Sequence, residues 1–348
     1  MKDFINRPKY FFRIKPFVKT SLIKVFIGQR RVGKSYMMKQ VQQYIREQKK
    51  YNFICIDKEN EDFSNITNAT ELSEYIKSHS LKKKGTVNYV FIDEVQEITA
   101  FENSIRSFAA KPGYDIYITG SNSEIVSGEL ASRLSGRYIE IPIYSLDYNE
   151  FITFHNLTKN ADSINLFLKY GGMPFLKNLA LQDELAFEYL KNIFTSILYR
   201  DIITRYNIRN VNFLDRLIHF TSDNIGSMLN AKKISDYLKS QKTNISVNTV
   251  MDYLSYLVSS QIIIPVKRID LKGKRTFEIG EKYYFQDLGI RNAICGYRVS
   301  DIGKLMENCV FHHLVSHGYL VFTGNWQQKE IDFVAIKNNE RTYIQVAY

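Results

Sequence analysis

Cysteine and proline are scarce here, with 3 Cys and 6 Pro in 348 residues. Cys55, Cys295 and Cys309 stand far apart in apolar surroundings. That spacing offers no metal cluster and no disulfide framework, so reduced, buried thiols are expected. The few prolines, and 17 glycines without a repeat, exclude collagen-like and low-complexity classes. No apolar run approaches the roughly 18 residues that cross a bilayer, so no membrane association is expected. The opening segment from Met1 to Pro8 has no apolar signal-peptide core, and a cytoplasmic location follows as the expectation. The length is too great for one compact core and predicts two or three domains.

Acidic charge is also in short supply, and unevenly so. The net charge is +11, but residues 1–50 carry 14 Lys/Arg against 2 Asp/Glu, and residues 191–275 carry 14 against 6. The rest of the chain is acidic. Two basic segments predict anionic partners at two places, one a nucleotide and the other a candidate for nucleic acid.

What is present is periodicity. Residues 22–28 read as a short buried strand ending in a glycine turn, and residues 34–48 then show helical spacing through Met37, Met38, Val41 and Ile45. Strand-like runs recur at Tyr51–Asp57, Val87–Asp93, Tyr114–Gly120 and Tyr138–Ile143, with helical patterns at about 68–80 and 97–110. Such alternation predicts an α/β fold with a parallel sheet covered on both faces. From Leu146 to about residue 260 the patterns are mostly helical, broken by a turn at Tyr170-Gly-Gly-Met-Pro-Phe175. Strands return at Ile262–Arg268, Phe277–Phe285, Tyr319–Thr323, Glu330–Ile336 and Thr342–Tyr348. Tyr348 falls in the middle of that last pattern, so an incomplete final domain is expected.

The chemistry begins at Gly28, Gln29, Arg30, Arg31, Val32, Gly33, Lys34 and Ser35, which match the phosphate-binding loop G-x-x-x-x-G-K-[ST]. Glycines let successive backbone N–H groups wrap a phosphate, and the following helix aims its positive end at it. Lys34 reaches the β- and γ-phosphates, and the Ser35 hydroxyl is a ligand for Mg2+. The partner motif is the strand Tyr89–Asp93, which ends in Asp93 and Glu94. Asp93 is expected to hold Mg2+ through its water shell, and Glu94 to orient the water that attacks the γ-phosphate. No Asn-Lys-x-Asp tetrapeptide occurs, which favours ATP over GTP. The next strand ends in Gly120, Ser121, Asn122 and Ser123, where Ser121 or Asn122 is a candidate sensor of the γ-phosphate. Arg133 and Arg137 follow as candidate fingers for developing transition-state charge, and such a finger commonly serves a neighbouring subunit's nucleotide. A homo-oligomer is therefore one expectation.

These residues resemble the prokaryotic AAA+ ATPases in which an AAA domain precedes a domain of unknown function. The likeness continues through Leu134-Ser-Gly-Arg137-Tyr138, the Tyr170-Gly-Gly-Met-Pro turn and Tyr284-Phe-Gln-Asp-Leu-Gly-Ile-Arg-Asn292, and so covers nearly the whole chain. The resemblance implies an AAA+ ATPase domain over 1–146, a helical lid or linker over 147–210, a winged-helix segment over 211–275, and a nuclease-like α/β domain of PD-(D/E)xK type over 276–348. In the implied winged helix, Ile234–Lys239 and Val247–Leu257 are the paired helices, and Lys267, Arg268, Lys272, Lys274 and Arg275 lie on the wing. Val247–Ser260 holds no Lys or Arg, so a structural or partner-docking winged helix is favoured over DNA contact through the wing. In the implied nuclease-like centre, Glu307, Asp332 and Gln345 match the metal-binding positions, but the lysine position is Ala347. Without that charge, water activation is lost and a degenerate site is expected.

Together these readings predict a Mg2+-dependent ATPase that couples nucleotide state to conformation or partner binding. The alternatives are an ATP-dependent DNA-processing enzyme with a working C-terminal nuclease, and a nucleotide-bound regulatory scaffold.

Overall fold

The computed structural model describes residues 5–47, 50–83, 85–120, 134, 136–240, 245–270, 280–326 and 329–347. They divide into two compact units, Met1–Ile143 and Tyr144–Tyr348.

The first unit is a five-stranded parallel sheet in the order β2-β3-β4-β1-β5. Its strands are β1 (Ile23–Ile27), β2 (Tyr51–Asp57), β3 (Val87–Asp93), β4 (Tyr114–Gly120) and β5 (Tyr138–Pro142). Its helices are α1 (Pro8–Ile14), α2 (Lys34–Arg46), α3 (Ala69–Ser78) and α4 (Phe101–Ala109). β-Branched residues alternate across the sheet and sort its faces. Ile23, Val25, Val90, Ile92, Ile116 and Ile118 point one way, where Leu72 and Ile76 of α3 and Ile105 and Phe108 of α4 cover them. The opposite face carries rings, with Phe91 stacked on Tyr117 at 4.7 Å. The same face buries an ion pair, Lys24 of β1 with Asp115 of β4, both fully enclosed. Asp115 also accepts from the Lys19 N–H at 2.7 Å and the Tyr117 hydroxyl at 2.9 Å. Those extra donors offset the cost of taking two charges out of water. Because all five strands are parallel, every strand's C-terminal end lies on one edge, and the loops that carry chemistry gather there.

The second unit starts helical, with α5 (Tyr148–Phe154), α6 (Ala161–Tyr170), α7 (Asp183–Ile197) and α8 (Val211–Asp223). Capping boxes open α5 at Asp147 and Glu150, and α6 at Asn160 and Ser163. α7 runs on into a π-helical stretch over Leu198–Thr204. Next come β6 (Met228–Leu229), α9 (Ala231–Ser240), α10 (Val247–Ser259), β7 (Ile263–Asp270) and β8 (Glu281–Phe285). They are followed by α11 (Leu288–Cys295), α12 (Ile302–Ser316), β9 (Leu320–Trp326), β10 (Lys329–Lys337) and β11 (Glu340–Ile344).

The six strands make one sheet in the order β11-β10-β9-β7-β8-β6. β7 joins its two parts, pairing antiparallel with β8 through Lys267 and parallel with β9 from Arg268 to Asp270. Hence the expected divisions at 210 and 275 fall inside one compact unit, and the second falls between two hydrogen-bonded strands of one sheet.

The Tyr170-Gly-Gly-Met-Pro turn and the Gln286–Asn292 segment interlock. Gly172 N–H donates to the Asp287 carboxylate at 2.8 Å, while its carbonyl accepts from Leu146 N–H at 2.7 Å. A Cβ on Gly172 would stand 2.1 Å from the Leu146 oxygen, so only glycine allows this approach. Asn292 donates to the carbonyls of Leu168 at 2.8 Å and Lys169 at 2.9 Å. The wholly buried Arg291 binds Asp301 at 2.7 Å and the Ser222 carbonyl at 3.0 Å. These contacts tie distant segments of the unit together.

Candidate functional site: a phosphate-binding loop and its carboxylates

β1 ends at Ile27, and the loop Gly28–Gly33 leads straight into α2. Two left-handed residues bend it, Arg31 at φ 68° and Gly33 at φ 99°. Gly33 then serves as the N-cap of α2. The fully buried Val32 side chain anchors the loop from beneath. The Lys34 ammonium turns back across the loop and donates to the carbonyls of Gly28 at 2.9 Å and Gln29 at 3.1 Å. It also lies 4.0 Å from the Glu94 carboxylate, and Arg30 lies 3.8 Å from the same group. The Gln29 side chain is 1% exposed, and its amide finds no hydrogen bond among the described residues. A buried amide left unpaired is a natural contact for a bound polar ligand.

The carboxylates sit where β3 ends, next to the end of β4. Asp93 carries a hydrogen bond from Ser35, and Thr119 of β4 also donates to it. The same Thr119 oxygen accepts from the Glu94 N–H at 2.9 Å. One hydroxyl therefore fixes both acidic positions. Glu94 itself stands in the left-handed region at φ 52°, ψ 53°, which aims its side chain back toward the loop. Burial pushes the Asp93 carboxyl above its ordinary range. Hydrogen bonds from Ser35 and Thr119 oppose that shift, and the charges of Glu94 and Asp57 add to it. The Ser35 hydroxyl and Asp93 carboxylate are hard oxygen donors already in contact, and this pair fits Mg2+.

Sequence reasoning missed Thr119 and Arg7. Thr119 is the last polar residue of β4 before Gly120, and only the lateral register with β3 shows its partners. The Arg7 guanidinium, 4% exposed, donates to the Val32 carbonyl at 2.9 Å and packs over the Tyr10 ring at 4.5 Å. It clamps the loop from the segment ahead of α1.

The remaining expected residues fall elsewhere. Ser121, Asn122 and Arg133 lie outside the described residues. Arg137 is exposed and immediately precedes β5, whose first residue pairs with Ile23 at the start of β1. It is thus a full strand length, roughly 16 Å, from the Gly28 end of the sheet and takes no part in its own chain's loop.

Of the expected tail residues, Asp332 and Gln345 meet, and Glu307 has partners of its own. Asp332 accepts from Gln345 at 2.8 Å and from the Val346 N–H at 2.7 Å. Glu307 accepts from Lys282 at 2.9 Å and from the Tyr284 hydroxyl at 2.5 Å, and Lys282 also pairs with Glu330. Lys282, on β8, lies far from these acids in sequence and carried no signal of its own.

The AAA domain family matches residues 20–152, and a domain of unknown function (DUF8612) matches residues 161–301. An uncharacterized protein of Haemophilus influenzae is 33% identical over 100% of this chain and 88% of its own length. The uncharacterized protein MJ1544 of Methanocaldococcus jannaschii is 31% identical over 94% of this chain and 74% of its own. Among solved structures, the Walker-type ATPase PABY2304 of Pyrococcus abyssi superposes with a TM-score of 0.55 at 16% identity. That match covers 84% of this chain and 96% of the other, and shows a shared fold. No helix among the described residues is long and apolar enough to cross a membrane. With one third of its residues shared along its whole length, this chain belongs to the same family as the Haemophilus influenzae protein, and its residues 20–152 match the AAA domain.

Proposed function

We propose that the chain binds ATP with Mg2+ at Gly28–Ser35, hydrolyses it, and uses the nucleotide state to change its conformation or its partners. The observation that carries this reading is the Thr119 hydroxyl, which ties Asp93 and Glu94 into one unit beside Ser35 and Lys34. Lys34 exchanges the loop carbonyls for β- and γ-phosphate oxygens, and the loop N–H groups and the start of α2 support the same charge. Ser35 and Asp93 hold Mg2+, which when bound neutralises phosphate charge. Glu94 orients the attacking water and accepts its proton.

The finer assignments belong to the same proposal. Residues 211–275 serve as a structural or partner-docking winged helix, supported by the absence of Lys and Arg from α10 and by its exposed Met251. Residues 276–348 form a nuclease-like domain without activity. Arg137, remote from its own loop, acts only across an interface with a second copy.

Lys34→Ala is expected to lose nucleotide binding, and Glu94→Gln to keep binding but slow turnover by roughly 10²-fold or more. Wild-type turnover in both variants refutes this site. Mixing Lys34→Ala with Arg137→Ala tests the interface arrangement, because some mixed pairs unite an intact loop with an intact arginine. No recovery of activity, with turnover per chain unchanged on dilution, refutes it. Stimulation by double-stranded DNA would overturn the choice of a protein partner.

A further inference from the structure

Lys282 changes what the tail centre can be; the argument rests on the nuclease-like reading of that centre. Three acids face Lys282 and Tyr284: Glu307 from α12 binds both, Glu330 of β10 binds Lys282, and the charge of Asp332 of β10 acts with theirs on the Tyr284 hydroxyl. Lys282 projects into the cluster from β8 with 4% of its side chain exposed. Its ammonium lies 2.9 Å from Glu307 Oε1 and also binds Glu330. Tyr284, next on the same face of β8, donates to the same Glu307 oxygen at 2.5 Å. On the other side, Asp332 Oδ2 is taken by the Val346 N–H at 2.7 Å and the Gln345 amide at 2.8 Å.

Each carboxylate that would bind a metal therefore already accepts from protein donors. A divalent ion needs carboxylate oxygens at about 2.0–2.6 Å, and an ammonium hydrogen-bonded to one of those oxygens occupies the same space and supplies the same sign of charge. With one positive charge against three acids, the cluster stays electron-rich, so removing the ammonium creates a strong pull for another cation.

We propose that Lys282 is a built-in cation: its ammonium takes the place of a divalent ion between Glu307 and Glu330, fastens α12 to the sheet, and closes the centre to metal-dependent phosphodiester cleavage.

Mn2+ titrated into the whole chain and followed by its free-ion EPR signal tests this. Wild type and Asp332→Asn should bind equal numbers of ions. Lys282→Met should bind one ion more per chain, and that ion should vanish when Asp332→Asn is added. Dependence on Asp332 is what assigns the ion, because Asp147, His313 and His317 bring ligand atoms within 4.8 Å of one another and can capture one of their own. If wild type binds an ion that Asp332→Asn loses, the proposal fails. It also fails if folded Lys282→Met gains none. Should Lys282→Met not fold, Lys282→Gln replaces it, and the wild-type comparison stands without either variant. DNA cleavage in Mn2+, measured alongside, separates the two claims. Wild-type cleavage lost in Asp332→Asn sinks the degenerate nuclease-like reading itself, whereas Asp332-dependent binding by the wild type without cleavage sinks only the built-in cation.

Discussion

Gly28→Ala puts the packing of the phosphate-binding loop to a direct test. A Cβ at this position would lie 2.3 Å from the Ile143 carbonyl oxygen and 3.1 Å from Val32 Cγ2. An ordinary carbon–oxygen contact needs about 3.2 Å, so something must move by roughly 1 Å. The Ile143 segment cannot yield freely, because its N–H is bonded to the Ile27 carbonyl at 2.7 Å. If the Ile143 segment moves, that hydrogen bond and the packing around it are lost, at about 2–4 kcal/mol. If the loop moves instead, its N–H groups shift by about 1 Å from the phosphate, a misplacement worth on the order of 10²-fold in turnover. The urea midpoint and kcat/KM for ATP, measured on the same preparation, should between them show one of these losses. Gly136→Ala is the control: its Cβ meets nothing within 4 Å, and only its φ of +69° opposes the change. That costs about 1–2 kcal/mol and should leave turnover unaltered. Wild-type stability together with wild-type kcat/KM in Gly28→Ala refutes the reasoning.

Two further outcomes are expected in the second unit. Gly172→Ala should lower stability by about 2–4 kcal/mol, since its Cβ meets the Leu146 oxygen at 2.1 Å and the bond to Asp287 is disturbed; a urea midpoint within 0.5 kcal/mol of wild type, on the order of an ordinary surface change, contradicts this. His155 packs against Phe151 at a tilt, with ring centroids 4.3 Å apart, and burial, aided by the charge of Lys177, lowers its pKa to about 4. The unfolded chain then takes up the proton first, so stability is full above about pH 6.5 and falls as the pH drops toward 4. Between pH 7 and 5 the loss should be about 1 kcal/mol after allowance for solvent screening. His155→Gln should remove that part of the slope in paired denaturation curves, and an unchanged slope counts against it.

The central strands were legible because their chemistry is local. Tyr51–Asp57, Val87–Asp93 and Tyr114–Gly120 stand where their apolar runs place them, each bounded by a turn residue or an acid. The loop and its carboxylates were legible for a similar reason, since spacing and backbone geometry are encoded within a few residues. Thr119 was not, because its role arises from lying beside Asp93 across a strand pair whose order no local pattern specifies. Lys282 was hidden by the same kind of distance: its partners Glu307 and Glu330 arrive from a helix and a strand that fold back later. The two-residue β6 is too short to show a period at all. The Gly171–Gly172 turn was visible as a break, but its reason, close contact with the backbone of Leu146, is tertiary.

β7 has a consequence for how the family can diversify. One half of this strand is bonded to the hairpin partner β8, and the other half to β9 of the carboxylate-bearing tail. The two segments cannot be excised, exchanged between relatives or expressed apart at residue 275 without exposing a raw sheet edge on both pieces. A single-residue slip within β7 would turn its own side chains to the opposite face and break its register with both neighbours at once. Inheritance should therefore treat 211–347 as a single indivisible block, and a displacement imposed on the hairpin is felt by Lys282 and its acids without any joint to absorb it.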